Sequence, residues 1–228
     1  MKKNILVLAA HPDDEVLGCG GTLYKFSKMG YKINAAFFSD GVSARNLKSI
    51  NKKGEGLQRK KSSQKAGKIL GIKKIEFFNL PDNQFDTVPL LKIAKIVETL
   101  IKKYEPTIIF THYDNDLNID HRIISKAVIT AARPSSKSIL KKILMFEVLS
   151  SSEWNFSSAS KAFSPNFFVN IEKFLKTKVK AMKCYSKELR KWPHPRSIEG
   201  VTSLAKVRGS MSGFKAAESF IMVRETVD

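Results

Sequence analysis

The 228-residue chain is 43% hydrophobic and 27% charged, which suits one domain with a core of its own and excludes a disordered or two-domain chain. No apolar run approaches the roughly 20 residues of a membrane span, and Met1-Lys2-Lys3 leads into an apolar strand with no secretory cleavage pattern, so a cytoplasmic protein with no membrane span is expected. The charge of +19 comes mostly from lysines dispersed in pairs such as Lys52-Lys53 and Lys102-Lys103, with only 8 Arg among 40 basic residues; this dresses solvated helix faces and speaks against nucleic-acid binding, where arginine leads.

Residues 4–8 form an apolar, β-branched run of the length of a buried parallel strand. His11-Pro12-Asp13-Asp14-Glu15 follows almost directly, so an imidazole and three carboxylates stand at a strand's C-terminal end, where open α/β sheets bind ligands. A helix cap would need one short polar residue, not four ionisable groups. His11 and Asp14 can close on one cation while Asp13, between them, stays free to act as a base. Val16, Leu17, Leu23, Tyr24 and Phe26 then give a helical apolar face ending near Gly30. Residues 33–39 are a second strand that turns at Asp40-Gly41, and the polar stretch 42–56 reads as an exposed loop, a candidate lid. A helix over 57–70 ends at Gly71, and a third strand over 75–80 exits at Pro81-Asp82-Asn83 with another acid.

Residues 89–104 read as an amphipathic helix and 107–111 as a short buried strand. His112, Asp114, Asp116, Asn118, Asp120 and His121 then fall within ten residues, entering a helix over 122–133 that Asp120 can cap. If this strand end neighbours the first, His121 is the natural third ligand beside His11 and Asp14. Two imidazoles and one carboxylate leave a zinc ion an open position for water. A strand over 143–149, a loop over 157–165, a short strand over 167–171 and a long lysine-rich helix over 172–190 follow. In Trp192-Pro193-His194-Pro195-Arg196 two prolines predict an extended loop that delivers His194 and Arg196 together to a substrate. A helix over 198–207 and an apolar run over 220–223 close the chain, and Cys19 and Cys184 are expected as free thiols.

These motifs resemble the PIG-L or LmbE-like family of zinc-dependent N-acetylglucosaminyl deacetylases. The family's His-Pro-Asp-Asp-Glu motif is intact at His11-Pro12-Asp13-Asp14-Glu15, and its second motif ends in Asp-His, here Asp120-His121. Gly18, Gly20, Gly21, Arg59, Ala66, Leu70 and Gly71 extend the resemblance over most of the first 135 residues. It implies a single Rossmann-like α/β domain over 1–228, a mainly parallel sheet flanked by helices, and an active site at the C-terminal strand edge. It further implies one zinc per chain and an N-acetyl sugar or glycoconjugate as substrate, with Arg59 and Asp82 near the sugar. Two departures matter. Ser62 stands where the family commonly has a glutamate, and Asn118 where it commonly has the first imidazole of His-x-x-His, so the oxyanion donor stays open among His112, Asn118 and His194. Residues 147–154 resemble a family segment that runs over the active-site edge. A divalent-metal phosphoesterase with a second ion on Asp114, Asp116 and Asp120, and a non-catalytic nucleic-acid-binding module, remain alternatives, as does assembly with further copies.

Overall fold

A computed structural model describes residues 2–42, 52–134, 139–156 and 162–227. Strand β1 (Asn4–Ala9) is buried along nearly its whole length because it feeds both faces of the sheet. Ile5, Val7 and Ala9 enter one core with helices α1 (Asp14–Lys28) and α2 (Lys52–Leu70). Leu6 and Leu8 enter the other with α3 (Leu90–Tyr104) and α4 (Ile119–Ala131). Two-sided burial is what makes the strand read as an unbroken apolar run.

β1 pairs in parallel with β2 (Lys32–Phe37) on one side and β4 (Ile108–His112) on the other. β3 (Ile72–Phe77) continues in parallel beyond β2, and β5 (Lys142–Phe146) beyond β4. Beyond β5, β7 (Ala217–Glu225) pairs antiparallel with it, and the edge strand β6 (Phe167–Asn170) pairs antiparallel with β7. The described strands thus form a seven-stranded sheet of order β3-β2-β1-β4-β5-β7-β6, the α/β class and mainly parallel sheet expected from the sequence. Strand order reverses at β1, so the C-terminal ends of β1 and β4 flank a topological switch point, where such sheets bind ligands. Both ionisable motifs begin there. No helix among the described residues is long and apolar enough to cross a membrane.

α1 is held against the sheet by two devices. Gly18 lies so close to the ring of Phe146 on β5 that a Cβ would sit inside it, so any side chain there would push α1 and its acidic N-terminus off the sheet. Further on the helix breaks at Cys19, whose φ of −144° is not helical. The freed backbone groups are satisfied by a buried ion pair: Glu218 accepts from Gly21 N (2.9 Å) and Thr22 N (2.6 Å), and Lys178 Nζ donates to Leu17 O (2.7 Å) while meeting Glu218 at 2.6 Å. Lys178 lies on helix α5 (Leu175–Met182).

Several boundaries differ from expectation for identifiable reasons. α2 begins at Lys52, inside the stretch read as a loop, because the polar face of a lysine-rich helix carries little periodicity; residues 43–51 of that stretch lie outside the described residues. β3 begins at Ile72, since Lys73 and Lys74 on an edge strand look like a loop in sequence. α4 starts at Ile119 and is capped by Asn118, which accepts from Asp120 N at 2.8 Å; Asp120 is not the cap. The stretch 172–190 is not one helix but two single 3₁₀ turns flanking the eight residues of α5. Nor is the proline-flanked stretch extended: it folds into successive turns closed by His194 N to Lys191 O (3.0 Å) and Ser197 N to His194 O (2.9 Å). Helix α6 (Ile198–Ser210) follows, and both cysteines are free. Of the loop expected at 157–165, residues 157–161 lie outside the described residues.

Candidate metal centre and its cleft

His11 N donates to Asp14 Oδ2 at 2.8 Å, which curls the chain after β1 so that ring and carboxylate face each other. His121, in the first turn of α4, closes on the same oxygen. His11 Nδ1 and His121 Nε2 each lie 3.5 Å from Asp14 Oδ2. Behind each ring stands a further carboxylate: His11 Nε2 is 3.0 Å from Asp120 Oδ2 and 3.1 Å from Asp82 Oδ1, and His121 Nδ1 is 3.1 Å from Asp116 Oδ1. Asp116 is in turn held by the hydroxyls of Ser151 and Ser152 and by Asn118 N.

Imidazoles that turn one nitrogen inward and present the other to a carboxylate are oriented as metal ligands are. Asp14 Oδ1 is buried with no hydrogen-bond partner among the described residues, a cost that a cation would remove. One donor atom each from His11, Asp14 and His121 fit within 4.8 Å of one another, and the two-imidazole, one-carboxylate set suits zinc. His11, Asp82 and Asp120 form a second such group. There, however, Asp120 already accepts Asn83 N (2.7 Å) and Phe85 N (3.0 Å), one on each oxygen, so this group is organised to hold His11.

Burial disfavours charge on these groups, and their mutual attraction decides the outcome. For His121 burial is outweighed by Asp14 and Asp116, which raise its pKa to about 9. Asp116 is pulled to about 2 against burial, chiefly by His121. Asp14 likewise resists burial and sits well below the ordinary carboxylate range beside His121 and His112. A cation held by His11, Asp14 and His121 would have to displace a proton from His121, so its uptake would be favoured as pH rises. His112 behaves oppositely, since burial and the neighbouring His121 both lower its pKa. It is fully buried, accepts Ala10 N at 2.8 Å through Nε2 and stacks on His121 with ring centroids 3.9 Å apart.

Asp13 adopts φ 119°, a region that residues other than glycine rarely occupy. Such strain persists only where surroundings over-determine it, and here they do. Asp13 N donates to Glu15 Oε2 (2.9 Å), and Glu15 Oε1 accepts the Tyr185 hydroxyl (2.5 Å). Burial raises Glu15 to about 8 against these bonds. The Asp13 side chain lies between two guanidiniums, with Arg59 Nη2 donating to Oδ1 (2.9 Å) and Arg196 Nη1 to Oδ2 (3.2 Å). Burial pushes the Asp13 pKa up and the two arginines pull it down; it remains raised. Arg59 is anchored by Pro12 O (2.8 Å) and Gly41 O. Gly41 has φ 69°, and a Cβ there would collide with the guanidinium, so both backbone and space call for glycine. Arg196 is anchored by Ser150 Oγ (2.6 Å) and Leu149 O (3.2 Å).

These side chains open on one cleft of about 280 Å³, lined by His11, Asp13, Asp14, His121, Asp82 and Asn118 together with Arg59, Arg196, Gly41 and Asn83. A family model described as PIG-L: GlcNAc-PI de-N-acetylase matches residues 6–132, more than half of the chain. The chain belongs to the PIG-L family. A relative named probable N-acetyl-alpha-D-glucosaminyl L-malate deacetylase 2, from Bacillus cereus, is 28% identical over 135 residues, 58% of this chain and 61% of that protein; the match thus spans less than two thirds of the relative's length. Solved structures share the fold, two of them as follows. N,N'-diacetylchitobiose deacetylase from Pyrococcus horikoshii has a TM-score of 0.78 at 21% identity, covering 97% of this chain and 84% of that one. GalB, a 4-carboxy-2-hydroxymuconate hydratase from Pseudomonas putida, has a TM-score of 0.78 at 20% identity, covering 100% and 98%. One fold therefore carries two different reactions, and the chemistry has to be argued from the site.

Both PIG-L motifs, Arg59, Asp82 and Asn118 lie within the matched range and reach the cleft. Arg196 joins them from far along the chain. His194 does not line the cleft: its Nδ1 accepts Arg196 N (3.0 Å) and its ring meets Trp154 edge-on at 5.7 Å. His112 lies beneath the centre and is also outside the lining. Of the three donors considered for an oxyanion, Asn118 is the one at the cleft, and with Oδ1 engaged as the α4 cap its Nδ2 is the group it can offer. Sequence reasoning missed Tyr185 and Glu188, which no local pattern marks. It singled out residues 147–154 without foreseeing that Ser151 and Ser152 would hold Asp116.

Proposed function

We propose that this PIG-L protein is a zinc-dependent hydrolase that removes the acetyl group from an N-acetylglucosamine-type sugar or glycoconjugate, giving acetate and a free amine. The observation that carries the reading is a His11, Asp14 and His121 ligand set opening on the same cleft as Asp13, a carboxylate outside that set. The family match and the deacetylase names among relatives support it.

His11, Asp14 and His121 would hold one zinc ion, which supplies a water of pKa near roughly 7 and polarises the substrate carbonyl. Asp13 takes the proton of the attacking water as its oxygen bonds to the acetyl carbon. Asn118 Nδ2 donates to the carbonyl oxygen as negative charge develops there. Asp13 then returns its proton to the amide nitrogen, the carbon–nitrogen bond breaks, and the amine leaves neutral. Arg59 and Arg196 keep Asp13 in place throughout, while Asp82 at the cleft wall serves the sugar hydroxyls and His11.

The phosphoesterase alternative needs a second ion, and two of the three acids it would use are otherwise engaged: Asp116 and Asp120 accept protein donors on both oxygens, which leaves the exposed Asp114. Incubating the zinc-loaded protein with a panel of N-acetylglucosaminyl compounds and phosphomonoesters separates the two. Amine and acetate released in equal amounts, with no phosphate, is the expected result; phosphate release without amine would overturn it.

A further inference from the structure

Glu188 belongs to no motif and lies well beyond the range matched by the family model. It follows the 3₁₀ turn Lys183–Tyr185, and its N–H closes back onto Tyr185 O at 2.8 Å. This short stretch sends one buried side chain to the first motif and another to the two arginines beside it. The Tyr185 hydroxyl reaches Glu15, which holds the Asp13 backbone. Glu188, 5% exposed, places Oε1 3.8 Å from Arg59 Nε and Oε2 3.9 Å from Arg196 Nη1.

Those guanidiniums are the pair that grips Asp13, so Asp13, Arg59, Glu188 and Arg196 form a closed ring of alternating charge. Arg59 comes from α2 and Arg196 from the turns before α6, and the two share both carboxylates. With Asp13 alone between them the buried set would carry an excess cation, which desolvation penalises. A guanidinium would then be drawn out towards solvent and release one side of Asp13.

We propose that Glu188 is a positioning residue for Asp13, fixing Arg59 and Arg196 so that the carboxylate is held in one orientation at the cleft. The inference rests on the reading of Asp13 as the proton-transfer residue. Glu188→Gln keeps the shape and removes the charge, whereas Glu188→Asp keeps the charge. In the zinc-loaded full chain, on the N-acetyl compound that the wild type turns over best, Gln is expected to lower kcat about tenfold or more with KM little changed. Zinc content and melting profile should match the wild type, and Asp should recover part of kcat. A Gln variant with wild-type kcat, or with a loss confined to KM, overturns the proposal; if Gln does not fold, the Asp variant reads the same split. Should the wild type release no amine from any compound, the reaction assignment fails instead. Position is then read by NMR of arginine-labelled protein: a sharp, exchange-protected Arg59 Nε–H signal that broadens in Glu188→Gln supports the role, and an unchanged signal overturns it.

Discussion

Asp13→Asn is expected to lower kcat about a thousandfold while bound zinc stays near the wild-type level. Asparagine matches aspartate in size and is among the few residues that tolerate positive φ, so the φ of 119° can be kept. Its single carbonyl oxygen can still accept from one of the two guanidiniums. What disappears is a group that takes a proton from water and returns it to the leaving amine. Kinetics measured beside zinc per chain by elemental analysis decide the matter. Zinc lost together with activity would make Asp13 a ligand, and activity within about tenfold of wild type would move proton transfer to another group.

His121→Ala should behave in the opposite way, losing zinc and activity together. Its Nε2 faces Asp14 while Nδ1 faces Asp116, and removing it leaves two ligands, too few for a stable site. Because a ligand bound only to the folded state raises its stability, zinc should raise the melting temperature of the wild type and leave that of His121→Ala unmoved. A variant that retains one zinc per chain and an unchanged zinc-induced shift would show that the ion binds elsewhere.

The first strand, the sheet class and the meeting of two ionisable motifs were legible because each rests on a local pattern. An unbroken apolar run marks β1, and clustered acids and histidines mark the strand ends that border the switch point. Edge and helix boundaries were harder for a physical reason: Lys73 and Lys74 on β3 and Lys61, Lys65 and Lys68 on α2 face solvent and hide the periodicity that burial would impose. The fate of His194 shows a different limit. Two prolines do restrict the backbone, but whether the result is an extended arm or a folded turn depends on tertiary hydrogen bonds, and here the turns send Arg196 to Asp13 and His194 to Trp154. Asn118 was read as a gap left by a missing imidazole, yet its side chain both caps α4 and borders the cleft. The ring of Asp13, Arg59, Glu188 and Arg196 was invisible for the plainest reason. Its members are spread from residue 13 to residue 196, and only the fold brings them within ion-pair distance.

The most direct test of the whole account is a zinc titration of chelator-stripped protein, with amine release from an N-acetylglucosaminyl compound recorded at each step. Activity should be absent without metal, rise linearly and break at one zinc per chain, since the proposed His11, Asp14 and His121 set takes one ion. A break at two equivalents, or amine release by the metal-free protein, would contradict it.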